Sequence, residues 1–301
     1  MKKIVFLPIL AIFFLLPAVT QAADSSGVEV VLFDDLGEVT TTFHPFGKEY
    51  RGVGSFTSGD LGADGVEEII VGSGPGLIPN VQIYRQDGTL ISEFLAYNET
   101  YRNGLNVSIC DLNNDGSSEI ITGAMLGGGP HVRIFDAQGN VLYGGGFFAY
   151  AGDFRGGVNV ACGDIDGDGL DDIVTGAGIT GGPHIKVFTP FGEMKLETFS
   201  GSALENTGAD VAVGDLNGDG DDEIIAGRMG IGDPTIIVFD IRKGKLSFVV
   251  ALNAFDDYKN GIRVTSGDVD GDGVDEIGVS TNKHGVGLVK FFELSGLTAA
   301  A

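Results

Sequence analysis

An aspartate opens the same nine-residue run five times in this chain, at 51- to 53-residue intervals. The runs begin at Asp60, Asp111, Asp164, Asp215 and Asp268 and read DLGADGVEE, DLNNDGSSE, DIDGDGLDD, DLNGDGDDE and DVDGDGVDE. An isoleucine follows each run: Ile69, Ile120, Ile173, Ile224 and Ile277. A fixed period near 50 residues makes each unit one supersecondary element that buries its apolar face only against neighbouring copies. Architecture and chemistry therefore repeat together.

Each unit parses into four short β segments. One enters the acidic run, as in residues 157–161, and a second leaves it, as in Glu119-Ile120-Ile121-Thr122. The third is the most regular: Val81-Gln82-Ile83-Tyr84, Val132-Arg133-Ile134-Phe135, Ile185-Lys186-Val187-Phe188, Ile236-Ile237-Val238-Phe239 and Leu288-Val289-Lys290-Phe291. The fourth follows a turn such as Gln86-Asp87-Gly88. β-Branched and aromatic residues with partial two-residue alternation, bounded by Gly, Asn and Asp, read as strands. Four strands per unit at a near-constant period predict an all-β fold, a β-propeller of four-stranded antiparallel blades. The repeats predict five blades, with six blades or part of a larger propeller as alternatives. A β-solenoid is the rival, but its rungs repeat at shorter periods. Residues 28–33 and 39–43 read as a third and a fourth strand, and the last unit lacks a fourth. N-terminal sequence completing the final blade would close the ring and hide its edges, with one strand left over.

The acidic runs place oxygen side chains at positions 1, 3, 5 and 9 and Gly at position 6. The first offers Asp60, Asp64 and Glu68, with Gly62 at position 3; the second offers Asp111, Asn113, Asp115 and Glu119. The third offers Asp164, Asp166, Asp168 and Asp172, the fourth Asp215, Asn217, Asp219 and Glu223, and the fifth Asp268, Asp270, Asp272 and Glu276. Oxygen-only donors around a tight turn suit calcium rather than zinc or copper. The motif is not an EF-hand, whose bidentate Glu stands at position 12; position 12 here is Val71, Thr122, Thr175, Ala226 or Val279. An ion-free Asx turn is the alternative for any single loop. Like charges about 4 Å apart repel by roughly 1 kcal/mol even in water, which argues for a cation when the cluster recurs. About four to five Ca2+ ions are expected, each pinning an inner hairpin, with dissociation constants on the order of 10⁻⁴–10⁻³ M.

Residues 1–22 read as a signal peptide: Lys2 and Lys3, an apolar core from Ile4 to Leu16, then Pro17. Residues 23–27 read as a linker, 28–294 as the propeller and 295–301 as a C-terminal tail. The expected location is outside the cytoplasm: extracellular, cell-surface or periplasmic. A formal charge of −24 repels nucleic acid and anionic membranes. Cys110 directly precedes Asp111, whereas Cys162 stands two residues before Asp164. On equivalent strands that offset points them to opposite faces, so they are read as free buried thiols.

On the face away from the acidic loops, an aromatic–basic pair precedes four of the five runs: Tyr50-Arg51, Tyr101-Arg102, Phe154-Arg155 and Tyr258-Lys259. Glu205-Asn206 replaces it in the fourth unit. Aromatic faces and Arg forks suit ligand binding. The structural alternative is that the rings wedge between blades and the cations pair with acids such as Glu49, Glu99 or Asp153. His131 and His184 occupy equivalent places after proline; a metal site and strand-start capping are the two readings.

The five loops, with Gly128-Gly129-Pro130-His131-Val132 and Gly181-Gly182-Pro183-His184-Ile185, resemble the FG-GAP and VCBS class of calcium-binding propeller repeats over about residues 28–294. That class occurs in integrin α-subunit heads and exported bacterial proteins. The resemblance implies fold and calcium binding, not a particular activity. No nucleophile elbow, zincin motif or phosphate loop occurs in the sequence. The chain therefore reads as a non-enzymatic binding or adhesion module for a protein or glycan at a cell surface. A calcium-dependent lectin for glycan or cell-wall polysaccharide is the alternative, and a polysaccharide-acting enzyme the third reading.

Overall fold

The computed structural model describes residues 28–33, 38–52, 54–281 and 288–295. The predicted signal peptide and linker, and residues 296–301 of the tail, lie outside them.

A hairpin of β1 (Val30–Phe33) and β2 (Val39–Phe43) precedes five antiparallel sheets. The first holds β3 (Ser55–Gly59), β4 (Glu68–Gly72), β5 (Asn80–Tyr84) and β6 (Leu90–Leu95). The second holds β7 (Leu105–Cys110), β8 (Glu119–Ala124), β9 (His131–Phe135) and the short β10 (Phe147–Phe148). The third holds β11 (Val158–Gly163), β12 (Asp172–Ala177), β13 (His184–Phe188) and β14 (Met194–Phe199). The fourth holds β15 (Ala209–Gly214), β16 (Glu223–Arg228), β17 (Thr235–Ile241) and β18 (Leu246–Asn253). The fifth holds β19 (Ile262–Gly267), β20 (Glu276–Thr281) and β21 (Val289–Phe292). The fold is a five-bladed β-propeller, as the repeat predicts.

The first strand of each blade lies innermost, and consecutive inner strands pack side by side. The side chains of their second residues converge: Asn106 Nδ2 donates to Asn159 Oδ1 at 3.1 Å, and Arg263 Nη1 to Asp210 Oδ1 at 2.7 Å. Arg263 also reaches Asn159 Oδ1 at 3.5 Å, although β19 and β11 are two blades apart. Only strands ringed about a common axis bring those residues together. The crowding there explains glycine in the second strands: a Cβ on Gly176 would lie 2.3 Å from Ala209 O.

Among the described residues, apolar clusters fill the seams. Ile121, Val132 and Ile134 of the second blade meet Val158, Val160 and Phe188 of the third, and the later seams repeat this pattern. The isoleucines that end the acidic runs are all at most 1% exposed. Each such burial contributes about 1.5–3 kcal/mol.

Two details depart from the sequence reading. Among the described residues the β1–β2 hairpin forms a sheet of its own and shares no strand pairing with the fifth blade; Val30 and Leu32 pack on Ile69, Val71 and Tyr84 of the first. Phe43 meets Tyr84 there at 4.6 Å, the relation that Phe94 has to Phe135 and Phe147 to Phe188. The hairpin thus occupies the place of a preceding blade's outer strands. The free-thiol reading is also wrong: Cys110 and Cys162 form a disulfide with Cα atoms 6.1 Å apart. Blades stack face to face, so a side chain leaving the front of β7 meets one leaving the back of β11. Opposite faces are therefore the requirement for the bridge, not an obstacle to it.

Candidate metal centres and the opposite face

Each acidic loop joins the inner strand of a blade to its second, so the antiparallel path gathers all five at one face. The opening aspartate organises the turn. Asp111 Oδ1 accepts from Asp115 N at 3.1 Å and its Oδ2 from Gly116 N at 2.7 Å. Asp60, Asp164, Asp215 and Asp268 do the same with the residues four and five ahead. The position-6 glycines have φ between 79° and 92°, the left-handed region that glycine enters without a Cβ penalty. The position-5 aspartates Asp64, Asp115, Asp168, Asp219 and Asp272 accept from the amide two residues on.

The closing carboxylate comes from the second strand. Glu68, Glu119, Glu223 and Glu276 each accept from the position-2 amide of their own loop, Leu61, Leu112, Leu216 and Val269. In the second loop Asn113 Nδ2 donates to Glu119 Oε1 at 3.0 Å, and Asn217 makes the same bond to Glu223 in the fourth. The third loop differs. Asp172 is one methylene shorter, Ile165 N–H donates to Gly163 O at 3.1 Å, and Asp172 pairs with Lys195 at 2.7 Å.

The donor set fits a hard cation. Carboxylate oxygens of Asp164, Asp166 and Asp168 lie within 4.8 Å of one another, as do those of Asp268, Asp270 and Glu276. Burial pushes Glu119 and Glu223 up to about 7, and neighbouring acids (Asp115 and Asp111; Asp240 and Asp219) add to this. Glu68 and Glu276 are raised for the same reasons. Carboxylates so placed favour either a proton or a cation. The first loop, with Gly62 at position 3, presents three carboxylates: Asp60, Asp64 and Glu68.

Sequence reasoning passed over position 8. Its backbone N–H crosses the seam to the previous loop: Ser118 to Asp60 O at 3.2 Å, Asp222 to Asp164 O at 2.9 Å and Asp275 to Asp215 O at 2.8 Å. In the third blade the side chain is used instead, Asp171 Oδ2 accepting from Asp111 N at 3.0 Å. Burial first, then nearby acids, push Asp222 up to about 7 and Asp275 to about 6. The available signal was the acidic residue just before the closing one in four of the five runs: Glu67, Asp171, Asp222 and Asp275.

On the other face the aromatic–basic pairs divide their labour. Tyr50 OH donates to Pro75 O at 3.2 Å, and Tyr101 OH reaches Gly104 O at 2.8 Å and Met125 O at 3.1 Å. Phe154 packs on Tyr150 and Tyr258 on Phe255, both edge-on. All four rings are half-buried, and burial pushes the Tyr101 hydroxyl up to about 12. The cationic heads of Arg51, Arg102, Arg155 and Lys259 are exposed. Arg51 and Arg155 donate to carbonyls of their own turns, Lys48 O at 2.6 Å and Gly152 O at 2.7 Å, while Lys259 pairs with Asp233. In the fourth blade the polarity inverts, Glu205 pairing with Arg228 at 2.9 Å. His131 lies between Tyr97 and Phe148, and His184 stacks on Phe199 at 4.1 Å while its Nε2 meets Glu197 at 3.0 Å. Both begin a third strand.

No family model matches the chain, and no curated protein matches it. Among solved structures it is similar to a chain in the crystal structure of a mitotic checkpoint complex, with 17% identity and a TM-score of 0.55 over 89% of this chain and 71% of that one. It is also similar to an Agrocybe aegerita lectin that recognises non-reducing terminal N-acetylglucosamine (16% identity, TM-score 0.44, 89% of this chain and 88% of that). A third likeness is to the exotype rhamnogalacturonan lyase YesX (18% identity, TM-score 0.33, 78% of this chain and 39% of that). The first likeness concerns fold alone, and the other two are too loose to bear on function.

Proposed function

We propose that the chain is an exported, calcium-binding propeller of the FG-GAP/VCBS type that serves as a binding module for a protein or cell surface. The observation that carries this reading is the recurrence, in all five loops, of one aspartate-centred amide pattern with acidic oxygens gathered around it. Calcium there would neutralise the cluster and pin each inner hairpin, with Asp111, Asn113, Asp115 and Glu119 as ligands in the second loop and their counterparts in the others. The Cys110–Cys162 bridge supports export, because such bonds persist in oxidising compartments. The exposed cationic heads on packed aromatic supports favour the opposite face as the binding face. The packing of His131 and His184 among aromatic rings supports a binding role over a catalytic one.

The test is binding of the mature protein to a glycan panel and to immobilised cell-surface protein, with calcium and with EDTA. Binding to surface protein in calcium, weakened about tenfold (roughly 1.4 kcal/mol) by Arg102→Ala with Arg155→Ala, supports the reading. Unchanged binding removes the rim from it. Glycan-only binding selects a lectin, and turnover of a polysaccharide replaces a binding module with an enzyme.

A further inference from the structure

The third acidic loop contains a cation of its own. Lys195, second residue of β14, places Nζ 2.6 Å from Asp166 Oδ2, 2.7 Å from Asp172 Oδ2 and 3.8 Å from Asp168 Oδ2. These are positions 3, 9 and 5 of the loop, three of its four candidate metal ligands. Asp172 is 3% exposed, so this is not a loose surface pair.

Among the four blades with a described fourth strand, the register gives the lysine to this one alone. Met194 pairs with Phe188, as Leu90 does with Tyr84, Val141 with Phe135 and Phe248 with Phe239. The residue after each is Lys195 in the third blade, and Ile91, Leu142 and Val249 in the others. The closing residue departs at the same blade: Asp172 stands where the other four loops have Glu68, Glu119, Glu223 and Glu276. A shorter acid leaves room beneath the loop, and a long cationic side chain fills it. Calcium takes six to eight oxygens, and an ammonium bonded to Asp166 and Asp172 and ion-paired with Asp168 competes with it for the same oxygens. A tethered ammonium also binds without loss of translational freedom, and no chelator removes it.

We infer that Lys195 is the resident cation of the third acidic loop and stands there in place of the divalent ion proposed for the other loops. The inference rests on the calcium reading of those loops. It makes the third loop independent of metal, although four carboxylates line it.

Equilibrium dialysis against calcium alone, on wild type and Lys195→Met, tests it. The methionine matches the aliphatic character of Ile91, Leu142 and Val249 and frees the carboxylates. The variant should bind one calcium more per chain than wild type, and equal stoichiometry overturns the inference. Wild type binding no calcium would sink the calcium reading, while a gained ion in the variant would still uphold Lys195. Hydrogen exchange of the wild type in EDTA needs no variant. The Gly169 amide should keep its protection while those of Gly116, Gly220 and Gly273 lose theirs, and equal loss at Gly169 overturns the inference.

Discussion

The backbone N–H of Asp222 donates to the carbonyl oxygen of Asp164 at 2.9 Å and joins the acidic loop of the fourth blade to that of the third. The contact is close because β11 ends in Gly163. A Cβ there would lie 2.2 Å from Asp222 Oδ2 and 2.6 Å from Val213 Cγ1. Gly163→Ala is therefore predicted to force the seam apart and destabilise the protein by about 1–3 kcal/mol, read as a lower urea midpoint at unchanged slope.

The disulfide spans 52 residues of sequence. Chain-entropy arguments assign a loop of that length about 4 kcal/mol. Reduction, or Cys110→Ala with Cys162→Ala, is predicted to lower the unfolding free energy by about 2–4 kcal/mol, measured by urea denaturation with and without reductant. An unchanged midpoint would mean that the bridge contributes nothing to the second seam.

The pH dependence should change sign with calcium. Burial pushes Glu119, Glu223 and Asp222 up to about 7 and Asp275 up to about 6. Their unfolded values are near 4, so between about pH 4 and 7 the folded chain binds more protons than the unfolded one. Stability without metal therefore falls as pH rises through that window. Calcium binds only the deprotonated ligands, so with it stability rises over the same window. Chelated protein should melt higher at pH 5 than at pH 8, and calcium-loaded protein lower at pH 5 than at pH 8, as calorimetry would show.

Two tyrosines act as matching struts. Tyr97 OH sits 3.1 Å from Thr122 O and 2.8 Å from His131 O, and Tyr150 OH holds the same relation to Thr175 O and His184 O. Burial raises both hydroxyls well above the usual range. Removing one such bond leaves carbonyl groups short of a partner. Tyr97→Phe and Tyr150→Phe are each predicted to cost about 1–3 kcal/mol with calcium stoichiometry unchanged.

The repeat period and the Asp-to-Gly spacing made blades and loops legible, because both are local patterns. What crosses a seam was not. Cys110 stands where the other inner strands end in Gly59, Gly163, Gly214 and Gly267, and Cys162 occupies the place of Ile109 and Val213. A Cβ on Gly59 would lie 3.0 Å from Ile109 and one on Gly163 2.6 Å from Val213, so in those seams the last residue of one inner strand meets the next-to-last of its neighbour. The cysteine offset, taken as a mismatch, is that relation. Lys195 was illegible for a similar reason, since only the pairing of Phe188 with Met194 carries it under a loop some 23 residues earlier in sequence. The aromatic–basic pairs were found by spacing, but their split into packed rings and exposed cations follows from bonds to other turns, such as Tyr101 to Met125.

Thermal unfolding of the metal-free protein, with and without millimolar calcium at pH 8, tests the central claim most directly. Ions that bind only the folded loops must raise the melting temperature, by RT ln(1 + [L]/Kd) of free energy for each site. The account predicts a rise of several degrees with calcium that EDTA reverses. Identical melting in calcium and in EDTA would contradict it.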